Sequence, residues 1–136
     1  MSGLPPVVVV GAGGHAKVVI ELIRAEGRYE VVALLDADTT PRQVLGVEVV
    51  GDDDALPRLR VDGIANAFIA LGGNALRLKV GGRARAAGFE LVNAISPMAV
   101  ISPTARIGAG VAVMAGAVIN AEARVEDFAI VNTNAS

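Results

Sequence analysis

Two different hydrophobic periods divide the chain near residue 96. In the first part, residues 7–10 form an unbroken valine run closed by Gly11, the pattern of a strand buried on both faces. Over residues 16–25, Val18, Val19, Leu22 and Ile23 fall at helical spacing, and Gly27 closes the helix. Residues 31–35 read as a second strand ending at Asp36, and residues 52–59 as a short helix with acidic residues in its first turn. A third strand over 67–71 runs into the Gly72-Gly73 turn. Asn74 is placed to cap a helix reaching about residue 87, with Gly88 as its stop, and 91–95 reads as one further strand. Strands alternating with helices in this rhythm predict a parallel sheet flanked by helices.

Past Ser96-Pro97 the spacing becomes a strict six. One position holds Ile101, Ile107, Val113, Ile119, Val125 and Val131, and four residues after each come Ala105, Val111, Ala117, Ala123, Ala129 and Ala135. If aliphatics filled about one position in three, six straight hits would arise by chance roughly once in 700 for a given register. Ordinary sandwich strands would instead alternate with period two between irregular turns. The repeat is therefore structural, and the six aliphatics are predicted to point inward.

Composition narrows the function classes. Hydrophobic residues make up 53% of the 136 residues and aromatics 3%, so the core is built from small aliphatic pieces. A net charge of −2 offers no basic field for nucleic acid or an anionic membrane, and the valine run is too short to span a bilayer. The absence of cysteine excludes disulfides, thiolate metal sites and a cysteine nucleophile, and a cytoplasmic protein is expected.

The candidate chemistry starts at Gly11-x-Gly13-x-x-Ala16, which follows a strand and opens a helix. In that context backbone N–H groups at a helix N-terminus take a pyrophosphate. Gly11 permits the turn, Gly13 with Gly14 admits the phosphates, and Lys17 stands one turn away. Asp36 sits where an acid accepts a bond from ribose or base, while Gly72, Gly73 and Asn74 form a second loop bordering the ligand crevice. Arg77 is either a phosphate contact or part of a solvated helix face. The loop alone leaves NAD and a nucleotide sugar both open; an α/β part ending near 96 is too short for a full dinucleotide domain. Asp52, Asp53 and Asp54 resemble a metal cluster, but the helix dipole accounts for them and no metal is expected.

The motifs Gly11-Ala12-Gly13-Gly14-His15-Ala16-Lys17, Asp36-Ala37-Asp38, Leu71-Gly72-Gly73-Asn74 and Ile101-Ser102-Pro103-Thr104-Ala105, with the hexads behind them, resemble the sialic acid O-acetyltransferase and bacillosamine N-acetyltransferase family. The resemblance implies a small Rossmann-like domain over 1–96 followed by the first coils of a left-handed parallel β-helix over 97–136. Ile101 would then stack under Ile119, Ile107 under Val125 and Val113 under Val131. It further implies acetyl transfer from acetyl-CoA to a nucleotide-linked sugar, a homotrimer built through the β-helices, and a nucleotide-loop role for His15. Val118 and Ile130 are outward apolar candidates for the trimer contact, on different faces.

In that family the base is a histidine followed by an acid, after a segment similar to Asn132-Thr133, with Asn132 near the substrate. No histidine lies between residues 96 and 136. The expectation is a truncated form or one piece of a longer polypeptide, inactive alone, with the base beyond Ser136. A non-catalytic nucleotide-sugar module and an NAD-binding protein with an appended repeat are the alternatives.

Overall fold

The computed structural model describes residues 3–133. Its first part runs β1 (Pro6–Val10), α1 (Gly14–Glu26), β2 (Glu30–Leu35), β3 (Gln43–Val44) and β4 (Val47–Gly51). After a single 3-10 turn at Asp53–Ala55 come α2 (Leu56–Val61), β5 (Asn66–Ile69), α3 (Asn74–Ala86) and β6 (Glu90–Leu91). The strands form a six-stranded sheet ordered β3-β4-β2-β1-β5-β6, parallel throughout except for the β3–β4 hairpin. This is a mixed α/β fold with a parallel sheet.

Alternate valines of β1 serve opposite cores. Val7 and Val9 pack in the cluster of Ala16, Val19, Ile20 and Ile23 from α1, while Val8 and Val10 join Leu56 and Leu59 of α2 and Val80 and Ala84 of α3. Val18, expected in the α1 stripe, is 40% exposed, and Ile20 takes its place. Adjacent helical residues sit about 100° apart, so the buried stripe that holds Val19 and Ile23 turns Val18 outward.

The hairpin gave no sequence signal. Its turn residues Leu45 and Gly46 have φ of 49° and 82°, the positive pair a tight primed turn requires, but Leu-Gly is not the usual Asn-Gly pattern. The strand expected over 91–95 is also two strands. Leu91 pairs with Ala67, whereas Ala94 and Ile95 pair with Ala112 and Val113. Between them Asn93 donates from Nδ2 to Gly108 O (3.0 Å) and accepts Val111 N–H on Oδ1 (2.8 Å), substituting for strand pairing while the chain changes sheets. The N-cap of α3 is Gly73, without a side-chain cap, so Asn74 is the first helical residue rather than the cap.

The second part consists of two-residue strands: β7 (Ala94–Ile95), β8 (Val100–Ile101), β9 (Arg106–Ile107), β10 (Ala112–Val113), β11 (Val118–Ile119), β12 (Arg124–Val125) and β13 (Ile130–Val131). They pair in parallel every 18 residues, as ladders β7-β10-β13, β8-β11 and β9-β12. Ile101 faces Ile119, Ile107 faces Val125, and Val113 faces Val131, as the family resemblance implies, with Ile95 as an unanticipated first member of the third column. All six hexad aliphatics share one interior cluster with Val111 and Ala117. Val113 and Ile119 are buried outright, while Ile101, Ile107, Val125 and Val131 are half-buried. Ile101 and Ile107 point inward but are only half-buried, because no described coil lies beneath them in their columns.

Corners recur every six residues: Gly110, Gly116, Glu122 and Phe128 have φ of 70°, 80°, 62° and 64°. Glycine takes this conformation freely, and a phenylalanine at positive φ needs compensation from its surroundings. Phe128 has it. Its ring is 2% exposed within the core that α2 and α3 share with the sheet, in space left by Gly81 and Gly110, and the Arg85 guanidinium lies 5.6 Å from its centre. Asp127 beside it accepts Ala109 N–H (2.9 Å) and meets Arg85 (3.3 Å).

The outward residues give each ladder its own surface. Ala94 and Ala112 are buried in the α1 cluster, Val100 and Val118 are 64% and 37% exposed, and Arg106 and Arg124 stand exposed in register. Val118 and Ile130 do lie on different ladders, but Ile130 belongs to the ladder turned toward α1 and is half-buried. Truncating Phe128 to Ala should cost about 3–5 kcal/mol in urea unfolding, the range for a large buried aromatic. Arg124→Glu, which replaces a cross-strand like-charge pair by an opposite one, should instead raise stability by about 0.2–1 kcal/mol.

Candidate functional site

The strand order turns back at β1: the chain leaves it to β2 on one side and later reaches β5 on the other. Ligands of open parallel sheets bind outside the carboxyl ends of the strands at such a point. The two glycine loops emerge there, after β1 and after β5.

Gly11 ends β1 at φ 122°, donating its N–H to Leu35 O (2.6 Å), and a Cβ there would collide with the Ala70 carbonyl. It is required by the fold. Gly13 and Gly14 are different. Gly13 is the extended N-cap of α1 and Gly14 its first residue, both exposed, and a Cβ at either would meet nothing within 4 Å. Gly72 is equally open, and a Cβ at Gly73 would meet, among the described residues, the Leu76 Cβ at an ordinary 3.8 Å. No side chain caps α1 or α3, so the N–H groups of their first turns face this opening without a side-chain partner.

His15 and Arg77 join the loops. Arg77 is half-buried and folds back, donating from Nη1 to Leu71 O (3.0 Å) and Gly72 O (2.9 Å), so it braces the second loop instead of lying on a solvated face. His15 is half-buried at the start of α1, and its Nε2 and the Arg77 Nε are both buried without a hydrogen-bond partner. Burial, helped by the positive charge of Arg77, pushes the His15 pKa below its ordinary value. Lys17 is exposed one turn along.

Asp36 closes the opening from the β2 side. Its Oδ2 accepts Arg42 Nη2 (2.9 Å) and Asp38 N–H (3.2 Å). Asp53 stands across from it with Oδ2 on Arg83 Nη1 (2.6 Å), and Arg83 Nη2 reaches Asp54 (2.8 Å). The carboxylates of Asp52, Asp53 and Asp54 lie within 4.8 Å of one another, but the Arg83 fork supplies positive charge to two of them, and Asp52 caps the turn by accepting Asp54 N–H (2.9 Å). Asp36 and Asp53 line one crevice with Val10, Leu71, Leu76 and Val80. Asn132 is remote from this cluster in the chain, exposed after β13.

Residues 6–83 match the model of the PglD N-terminal domain, more than half of the chain. The chain belongs to the PglD N-terminal domain family. A curated relative, UDP-N-acetylbacillosamine N-acetyltransferase of Bacillus subtilis, is 34% identical over 111 residues, covering 80% of this chain and 51% of that protein. Among solved structures, a histidine-to-asparagine variant of perosamine N-acetyltransferase from Caulobacter crescentus, in complex with CoA and GDP-perosamine, is 57% identical with a TM-score of 0.92. That match covers 97% of this chain and 62% of the other. The acetyltransferase domain of PglB from Neisseria gonorrhoeae, in complex with acetyl coenzyme A, is 41% identical with a TM-score of 0.86, over 96% of this chain and 62% of that one. The chain thus spans from about half to three fifths of these relatives' lengths.

Within this PglD-type chain, Asp53, Leu76 and Arg83 enter the picture only through the structure. The acidic run had a sufficient explanation in the helix dipole, and no local pattern joins residue 53 to residue 83. Among the described residues, no helix is long and apolar enough to cross a membrane.

A lowered His15 pKa fixes the sign of one pH effect. The unfolded chain takes up this proton below about pH 6.5 more readily than the folded one, so stability falls as pH drops through that value toward the folded pKa. Thermal melts of His15→Asn should lose less Tm than the parent as the pH falls below about 6.5. Identical slopes would mean that His15 titrates as a free imidazole.

Proposed function

We propose that this chain is the front part of an acetyltransferase that moves the acetyl group of acetyl-CoA onto the amino group of a sugar carried by a nucleoside diphosphate. The reading divides the work near residue 96. Residues 1–96 hold the nucleotide end, with the diphosphate over the N-terminus of α1 at Gly13, Gly14 and His15, Lys17 nearby, and Gly72, Gly73, Asn74 and Asp36 around it. Residues 97–136 are the first coils of a left-handed parallel β-helix, with Asn132 facing the sugar.

The observation that carries this is the pair of glycine loops at the ends of β1 and β5. Gly13, Gly14 and Gly72 have open space where a side chain would stand, so the fold's own packing does not require glycine at any of them. What glycine adds is backbone N–H groups that a bulky anion can approach. Arg77 supports the reading by spending its hydrogen bonds on the second loop and its charge on the opening. The relatives supply the chemistry: one is an N-acetyltransferase of UDP-linked bacillosamine, and another was solved with CoA and GDP-perosamine.

In the reaction itself the sugar amine attacks the thioester carbonyl. A C–N bond forms, the C–S bond breaks, the amine gives up a proton to a base, and sulfur leaves as the CoA thiol. His15 is unsuited to that task, since it sits at the phosphate loop of the α/β part, and we assign the base to no residue of this chain. Assembly as a homotrimer fits the exposed Val100–Val118 column, and acetyl-CoA chemistry suits a cytoplasmic enzyme.

Calorimetric titration with nucleoside diphosphates tests the phosphate loop. Gly13→Val should weaken binding by roughly tenfold or more while leaving Tm within a degree or two, since its side chain points into the space reserved for phosphate. Lys17→Ala should cost no more than about threefold, as expected of one exposed cation. Unchanged affinity in Gly13→Val would place the nucleotide elsewhere.

A further inference from the structure

The relatives differ in the base their substrates carry, uracil in one and guanine in another, so membership of the family leaves the base open. The crevice beside the phosphate loop has its own chemistry. It is small, about 120 Å³, and its walls are Val10, Leu71, Leu76 and Val80. Leu76 is 48% exposed in the first turn of α3, an apolar surface at the mouth of a slot suited to a flat ring. Among the described residues, the polar side chains lining it are those of Asp36 and Asp53. Each commits Oδ2 to an arginine, and on each no described residue donates to Oδ1.

Carboxylates at neutral pH only accept hydrogen bonds. A base held here must therefore offer donors on its edge. Guanine offers two adjacent ones, N1–H and the N2 amino group. Adenine sets the lone pair of N1 next to its single amino group, and uracil sets carbonyls on both sides of its N3–H, so each brings an acceptor against a fixed negative charge. Building on the phosphate-loop reading above, we infer that the crevice selects a guanine nucleotide, with Asp53 accepting from N1–H and the N2 amino group. Arg83 is a positioning residue: its fork holds Asp53 and Asp54, and so fixes Asp53 in the wall of the crevice. Asp36 remains available to the ribose. An arginine-held carboxylate needs little rearrangement when the base arrives, and hydrogen bonds to charged groups are the strong kind.

The test is calorimetric titration of the 136-residue chain with GDP, inosine diphosphate and UDP. Inosine diphosphate differs from GDP only in lacking the N2 amino group. GDP should bind roughly tenfold or more tightly than either of the others, the size of effect expected for a hydrogen bond to a charged group. In Asp53→Asn the GDP affinity should fall to the level of inosine diphosphate while UDP changes little. Arg83→Gln should lower the GDP-to-inosine ratio rather than all three affinities together, a pattern that a merely structural role would not produce. If Asp53→Asn does not fold, the comparison of GDP with inosine diphosphate on the unaltered chain still decides. Inosine diphosphate or UDP binding as tightly as GDP would overturn the base assignment and leave the phosphate loop standing. Failure of all three to bind would overturn both.

Discussion

Burial of β1 on both faces is the constraint from which the rest of the α/β part follows. Its valines are at most 3% exposed, and a strand has only two faces, so α1 must cover one and α2 with α3 the other. Covering both faces forces parallel crossovers, and these deliver the loops that follow β1, β2 and β5 to the same end of the sheet. Gly11 sits at the end of this strand, where a side chain would run into Ala70. The position of the glycine loops is thus a consequence of how the valines are packed. A larger groove, about 610 Å³, lies at the opposite end among Tyr29, Val47 and Glu48, and size alone would have directed attention there.

The ladders are joined to this sheet at two places by opposite means. On one side the buried outward residues are alanines, Ala94 and Ala112, small enough for α1 to lie directly on the ladder. On the other, Phe128 leaves the coil and fills the core beside α3, at a backbone conformation that only good packing sustains. Gly81 has no side chain because the ring occupies that space. α3 therefore carries the second glycine loop at its start, Arg83 in its last turn and the seat of Phe128 between them, which ties the opening to the coils through one helix.

At the opening, the side chains are held before any ligand is present. Arg42 and Arg83 hold carboxylates, and Arg77 holds loop carbonyls. Groups already fixed lose little conformational freedom on binding, and that favours selectivity over adaptability.

How much of this was legible depended on the distance over which the physics acts. The valine run, the glycine punctuation and the six-residue period are local patterns, so β1, α1, the phosphate-loop context of Gly13 and His15, and the inward columns from Ile101 to Val131 could be read from residue types and spacing alone. Helix faces were legible only approximately, since Val18 and Ile20 are equally apolar and packing chose Ile20. What tertiary structure decided are pairings between residues far apart: Asn93 with Gly108 and Val111, Phe128 with Gly81, Asp53 with Arg83, and Arg77 with its own loop. Each joins groups whose separate residue types admit a simpler explanation, a polar loop residue, a capping acid or a surface arginine. Only the folded chain brings them close enough for a hydrogen bond or a steric fit to replace that explanation.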